Sequence, residues 1–135
     1  MSKKDKLISS MLLGITQEDK ELLISDLCSR LPYGVILSVV NYNSLELQHP
    51  VLTPYTIGSA INLLDKEGIS LKPFLRVLSD MTDEEEKEYH KIVDGFLNFE
   101  NAPRVVDWLN AHHFDYRGLI EKGLALRAPD DMYKD

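Results

Sequence analysis

Apolar positions with helical spacing mark the first element of the chain. Leu23, Leu27 and Leu31 recur every four residues, which places them on one face of an amphipathic helix. Thr16 can cap the free N–H groups at the start of this helix, and the proline directly after Leu31 disfavours its continuation. The pattern therefore predicts a helix over residues 17–30.

In the middle third of the chain the spacing changes to period two. Residues 35–40 are rich in β-branched side chains and predict a strand buried on both faces. Residues 45–49 alternate apolar and polar, as expected for an antiparallel partner joined to the first strand by a tight turn. Residues 69–78 predict a last strand, in which Pro73 indicates a sheet edge or a bulge because it cannot donate a ladder hydrogen bond.

Two stretches between these strands are ambiguous. Pro50 and Pro54 place residues 51–57 either at a sheet edge or in an irregular connection. Residues 60–68 fit either a hairpin, with their last four residues as the connection, or a short helix capped by Ser59. We favour the hairpin for residues 60–68.

Helical signals return after the sheet. Thr82 and Glu85 form a capping box, and the four acids that follow Thr82 place negative charge at the positive end of a helix dipole. Helix-capping residues at Asn101 and Asp115 predict two further helices. The second spans residues 116–122 and is closed by the glycine that follows.

These elements together predict an α+β domain with an N-terminal helix, a small antiparallel sheet and C-terminal helices packed on it. The strand pattern fits an open sheet and also a barrel-like one. Elements that are segregated rather than alternating argue against a parallel doubly wound sheet. We expect the domain to span residues 16–128, with a flexible segment over 1–15 and a frayed tail over 129–135.

Composition changes this picture mainly by exclusion. The 135 residues are 44% hydrophobic and 27% charged, which suffices for one folded domain. Residues 79–135 contain seven basic and fourteen acidic side chains and so carry the whole net charge of −7. Direct nucleic-acid binding is unfavourable, because the only cluster of basic residues is Lys3, Lys4 and Lys6, in the segment expected to be flexible. No apolar run approaches the roughly 20 residues that span a bilayer and no signal peptide is evident, so we expect a cytoplasmic protein without membrane contact.

The residues that could carry chemistry each have a simpler explanation. Cys28, the single cysteine, falls on the apolar face of the first helix, where we expect a buried and inert thiol. His112 and His113 point about 100° apart on a helix and cannot readily share a metal ion, so we expect His112 to pack on the apolar stripe and His113 to be solvated. Glu86 and His90 have the spacing of an ordinary surface pair. The sequence thus predicts no metal, no cofactor and no catalytic residue.

Four blocks of the chain form a recognisable pattern: LPYGV at 31–35, KPFLR at 72–76, MTDEEE at 81–86 and DYRGLIEKGLAL at 115–126. The pattern resembles a family of small uncharacterised proteins from gut Bacteroides-type bacteria and from their phages and integrated elements. The resemblance spans most of residues 20–133 and implies one folded unit in a mobile-element setting. It implies no activity and no catalytic residue.

Tyr33, Tyr55, Trp108 and Arg117 are the candidates for an interaction surface. Tyrosine and tryptophan are enriched at interfaces, although core packing explains them equally well. Arg117 follows the helix start predicted at Asp115, where a cation is unfavourable. We therefore expect a carboxylate of the fold to pair with Arg117, with an anionic partner as the alternative.

Complete folding signals without a catalytic constellation favour a non-enzymatic protein-binding or accessory module, consistent with a phage or mobile-element origin and with an unknown protein partner. Two other functions stay open. A nucleic-acid-associated accessory factor fits the β-rich middle, and a small enzyme using Glu or Asp with His fits His90 and His112, which lie near acids. The sequence does not indicate an oligomeric state.

Overall fold

The computed structural model describes residues 15–94 and 102–134. Its helices are α1 (Gln17–Ser29), α2 (Ile57–Leu64), α3 (Asp83–Asp94) and α4 (Ala102–Ala111), and its strands are β1 (Leu37–Asn41), β2 (Glu46–Gln48), β3 (Ile69–Leu75) and β4 (Leu126–Arg127). Two 3₁₀ turns lie at Leu31–Tyr33 and Leu78–Asp80. This arrangement confirms the predicted α+β class.

The four strands form an open, mixed sheet in the order β2-β1-β3-β4. The predicted hairpin is present, because β1 is antiparallel to β2, and β1 is also antiparallel to β3. The strictly antiparallel sheet is wrong, because β4 returns parallel to β3. The barrel-like form is wrong too, because closure requires β2 and β4 to pair and they lie at opposite edges.

One face of the sheet carries the main core. Leu23 and Leu27 of α1 and Leu64 of α2 pack with Leu71 and Leu75 of β3. All five side chains are buried, and burial of each such side chain stabilises the fold by about 1.5–3 kcal/mol relative to exposure. The apolar stripe predicted for α1 therefore faces the sheet.

A second, smaller cluster joins α3 and α4. Trp108, Leu109 and Phe114 are buried together, and Tyr89 and Ile92 of α3 pack against them. The helical prediction for residues around Trp108 is confirmed, while Asn101, where its start was expected, lies outside the described residues. This cluster brings the end of α4 next to the start of α3.

The hairpin favoured for residues 60–68 is wrong, because Ile57–Leu64 form α2. Ile57, Ala60 and Leu64 have helical spacing, and the last two are buried on the main core. Residues 65–68 do form the turn into β3, with Gly68 at a φ of +77°. Packing of one apolar face on β3 thus overrides the turn signal.

Pro73 lies in a central strand rather than at an edge. The amide of Phe74 donates to the Ile36 carbonyl, so the neighbouring Pro73 nitrogen points away from β1. On that side β4 pairs only with Phe74 and Leu75, so Pro73 interrupts no ladder bond. The position of a proline relative to its neighbours therefore decides its effect.

The helix predicted over residues 116–122 is absent. Gly118 has a φ of +73°, which interrupts helical geometry and leaves a single turn. The Asp115 carboxylate still caps this turn, accepting bonds from the amides of Leu119 and Ile120. The predicted closing glycine, Gly123, does adopt a φ of +76°.

Most of the segment predicted to be flexible, residues 1–14, lies outside the described residues. At the other end of the chain, Tyr133 packs against the main core. Its hydroxyl accepts a hydrogen bond from the Ile36 amide at 2.8 Å and donates one to the Phe74 carbonyl at 2.7 Å. Residues 129–134, which we call the terminal segment, therefore dock through Tyr133 against the junction of β1 and β3.

Candidate functional site

A polar cleft of about 820 Å³ opens where the C-terminal end of α4, the start of α3 and the terminal segment meet. Its lining includes Arg76, Glu85, His112, His113 and Tyr133. The titratable groups of the described residues with a clearly shifted pKa all belong to this set: Arg76, Glu85, His113 and Tyr133. Clustering of shifted pKa values in a cleft is typical of functional sites, although structural ion-pair networks produce it too.

Glu85 is the centre of the cleft. Arg76 donates to both of its carboxylate oxygens, at 2.6 and 2.7 Å. The Thr82 amide donates to Glu85 at 3.0 Å and the Thr82 hydroxyl accepts from the Glu85 amide at 3.1 Å, which confirms the predicted capping box. Because Arg76 and the Thr82 amide hydrogen-bond its charged form, the pKa of Glu85 falls to about 2.

His112 completes this network. Its Nδ1 lies 3.1 Å from Oε2 of Glu85, and its ring packs on Trp108 with a centroid distance of 4.2 Å, as predicted from the helical stripe. A carboxylate at Nδ1 orients an imidazole ring. The pair of Glu85 and His112 therefore has the geometry of a proton-transfer dyad.

His113 is not solvated, contrary to the prediction. Its ring stacks on Tyr133 at a centroid distance of 3.8 Å, and its φ is +63°. The amides of His113 and Phe114 bond back to the carbonyls of Asn110 and Leu109, so α4 ends in a Schellman motif with histidine where glycine is usual. This turn directs the ring inward, which no helical projection of the sequence would show.

Burial sets the pKa values of the stacked pair. It lowers the pKa of His113 to about 4, with smaller contributions from the positive charges of Arg30 and Arg76 and from His112. It raises the pKa of Tyr133 to about 12. At neutral pH both rings are therefore uncharged, and the Tyr133 hydroxyl is engaged between β1 and β3.

A second ion-pair cluster lies behind the cleft and is closed to solvent on most sides. Asp26 and Arg30 are fully buried and form two hydrogen bonds, at 2.8 and 3.1 Å. Arg30 also donates to the Phe114 carbonyl, and Arg117 donates to Asp26 at 2.9 Å. Arg117 is thus paired within the fold, as expected. The sequence analysis missed Asp26 and Arg30, whose signal is an acid and a base four residues apart on the buried side of α1.

The other candidates for an interaction surface occupy different environments. Trp108 is buried in the second cluster and Tyr33 is half-buried, whereas Tyr55 is 97% exposed.

Cys28 is exposed, so its predicted burial is wrong, because Asp26 and Leu27 rather than Cys28 face the interior. Within the described ranges no three His, Cys, Asp or Glu side chains are placed to hold a metal ion.

Exposed apolar side chains concentrate at the β2 edge of the sheet. Five of the seven large exposed hydrophobic residues of the described chain lie between positions 42 and 55. They are Tyr42, Leu45, Leu47, Val51 and Tyr55. We call Leu47 and Val51, together with Tyr55 four residues further along the chain, the edge surface; their exposed fractions are 59%, 49% and 97%. The sequence analysis identified only Tyr55 among them.

Backbone groups at this edge point outward at alternate residues. The Leu37 amide donates to the Pro50 carbonyl and the Leu52 amide donates to the Val35 carbonyl. The backbone groups of Pro50 and Leu52 therefore point inward, towards β1, and those of the intervening Val51 point outward. By the same alternation, the backbone groups of His49 and Leu47 also point outward. No strand of the described residues pairs on that side.

Comparison of the chain with protein-family models, with curated proteins and with solved structures gives no match. The resemblance to the Bacteroides-type family stays a prediction. Among residues 15–94 and 102–134, no helix is both long and apolar enough to cross a bilayer.

Proposed function

We propose that the protein is a non-enzymatic binding module that takes an extended protein segment along the outer side of β2. The observation that carries the proposal is an edge strand with outward backbone groups at Leu47, His49 and Val51 beside exposed apolar side chains. An added strand would satisfy these N–H and C=O groups, and the apolar side chains would supply pockets for alternate residues of the partner.

Residues 47–51 carry little of the usual edge protection, although β2 itself is short and begins with the charged Glu46, and this supports the proposal. Edge strands are normally shielded from further pairing by charged side chains or by a proline whose nitrogen faces solvent. Residues 47–64 contain no Asp, Glu, Lys or Arg. The nitrogen of Pro50 points towards β1, so this proline removes none of the N–H donors on the outward side. An edge without these devices is prone to pair with another strand.

Site-specific photo-crosslinking in the native host tests the proposal. A photoreactive amino acid in place of Tyr55 should yield a discrete crosslinked species, because this residue is on the edge surface. The matched control is the same substitution at Leu78, an exposed apolar residue between β3 and α3. Absence of any discrete crosslink at Tyr55, or equal crosslinking at both positions, would contradict the proposal.

The cleft supports a second candidate function, a small enzyme in which Glu85 orients His112 as a general base. The observation that favours it is the 3.1 Å contact between Glu85 and His112 in a cleft with shifted pKa values. Chromogenic ester, phosphate-ester and glycoside probes would test it. Turnover that is lost in His112→Gln and kept in His90→Gln, a change at an exposed histidine, would support it; turnover that both variants keep would refute it.

A further inference from the structure

The outward side of residues 47–51 is complementary to itself. We propose that its partner is a second copy of this chain, paired antiparallel about a two-fold axis that passes His49 perpendicular to the sheet. The proposal rests on the proposed binding function and adds the identity of the partner. It joins two open sheets into one continuous sheet through their β2 edges.

The backbone directions are compatible with this register. Leu47, His49 and Val51 all present N–H and C=O groups outward, so a two-fold at His49 places Leu47 opposite Val51 of the second copy. His49 then faces the same residue of the second copy. Each opposed pair exchanges two hydrogen bonds, which gives about six backbone bonds across the axis. The Pro50 nitrogens face inward and remove none of them.

Side chains support the same register. Leu47 pairs across the hairpin with Val40, and Val51 pairs with Ile36, so both lie on the same face of the sheet. Leu47 of one copy therefore lies beside Val51 of the other on that face, an apolar cross-strand pair. A two-fold centred on Leu47 would instead require Leu45 in the ladder, and its φ of +59° is not extended.

Charge explains why a second copy fits this surface. Two chains that each carry a net charge of −7 repel one another over most of their surfaces. Residues 47–64 form the longest stretch without Asp, Glu, Lys or Arg, so contact there opposes no carboxylates. The exposed side chain of the neighbouring Glu46 lies on the other face of the sheet from Leu47 and Val51, because successive residues of a strand alternate between faces. An uncharged apolar edge on an acidic chain is thus the place where two copies can meet.

Sedimentation equilibrium of the full chain tests the inference. The wild-type chain should show a reversible dimer, and Leu47→Lys or Val51→Glu alone should weaken it about tenfold or more, because each places an unpaired charge against an apolar residue. An equimolar mixture of these two variants should dimerise again, because the new ammonium and carboxylate face each other in the proposed register. Leu78→Lys, at an exposed apolar residue away from the edge, should leave dimerisation unchanged.

Circular dichroism of each variant separates loss of pairing from loss of folding. A wild-type chain that stays monomeric at millimolar concentration would overturn the inference. So would a dimer that withstands both single substitutions, or variants that do not dimerise again on mixing. In each of these cases a crosslink from Tyr55 to a different protein would leave the proposed binding function standing. Loss of every crosslink would remove that function as well.

Discussion

The cleft and the edge surface differ in how their polar groups are satisfied. In the cleft, Arg76, Thr82 and His112 all bond to Glu85, and Tyr133 bridges two strands. At the edge, backbone groups of β2 point outward with no strand of the described residues beside them. The contrast teaches that most shifted pKa values here accompany groups that the fold already satisfies, with the buried and unpaired Nδ1 of His113 as the exception. The unpaired backbone groups lie instead at an apolar, nearly uncharged edge.

The largest expected effect comes from the buried cluster behind the cleft. Asp26→Ala leaves Arg30 buried without its carboxylate, so we expect a loss of about 3–5 kcal/mol in the free energy of unfolding. Urea denaturation measures it. Glu21→Ala, at an exposed acid on the same helix, should change stability by less than about 0.5 kcal/mol. Equal effects of the two substitutions would show that Asp26 has no structural role.

A smaller loss is expected at the centre of the cleft. Glu85→Gln removes the charge that Arg76 and His112 share, which should lower the free energy of unfolding by about 1–3 kcal/mol. Glu84→Gln, at the adjacent exposed acid, is the matched control and should be nearly neutral. If both substitutions are neutral, the network around Glu85 does not stabilise the fold and its geometry demands another explanation.

Tyr133→Phe tests the terminal segment. Loss of the hydroxyl leaves the Ile36 amide and the Phe74 carbonyl without this bridge, so stability should fall by about 1–2 kcal/mol and amide exchange at Ile36 should accelerate. The same change at the exposed Tyr55 should have no effect on stability. Unchanged exchange at Ile36 would contradict a bridging role for Tyr133.

A separate effect, which appears only as the pH falls, is expected at His113. Because its pKa is about 4 in the folded chain and about 6.5 when unfolded, the unfolded chain takes up this proton first. Its contribution to stability should therefore fall as the pH drops from about 6.5 to 4, and change no further below pH 4. His113→Gly should flatten this part of the profile and relieve the positive φ. A profile identical to the wild type would contradict the burial of this ring.

Local signals predicted the elements that capping and one-sided packing determine. The caps at Thr16 and Thr82 both form, and the β1–β2 hairpin follows the period-two pattern. By contrast, β4 is two residues long and carries no pattern of its own. Its existence depends on the path of the chain after α4, which no local spacing encodes.

The sites were less predictable because they depend on tertiary geometry. Pairing of Arg117 followed from its unfavourable position, but the identity of its partner, 91 residues away, did not. The inward turn of His113 comes from a Schellman motif without its usual glycine. The outward direction of the backbone groups of His49 depends on the register of β2 with β1. A shift of this register by one residue would reverse that direction.

Amide hydrogen exchange at the β2 edge tests the central claim most directly. Leu52, whose amide bonds to the Val35 carbonyl, serves as a protected reference at all concentrations. If the edge pairs with a second copy, the amides of Leu47, His49 and Val51 should exchange rapidly in dilute protein and become protected as concentration rises. Rapid exchange of these three amides at every concentration, with Leu52 protected throughout, would contradict the account.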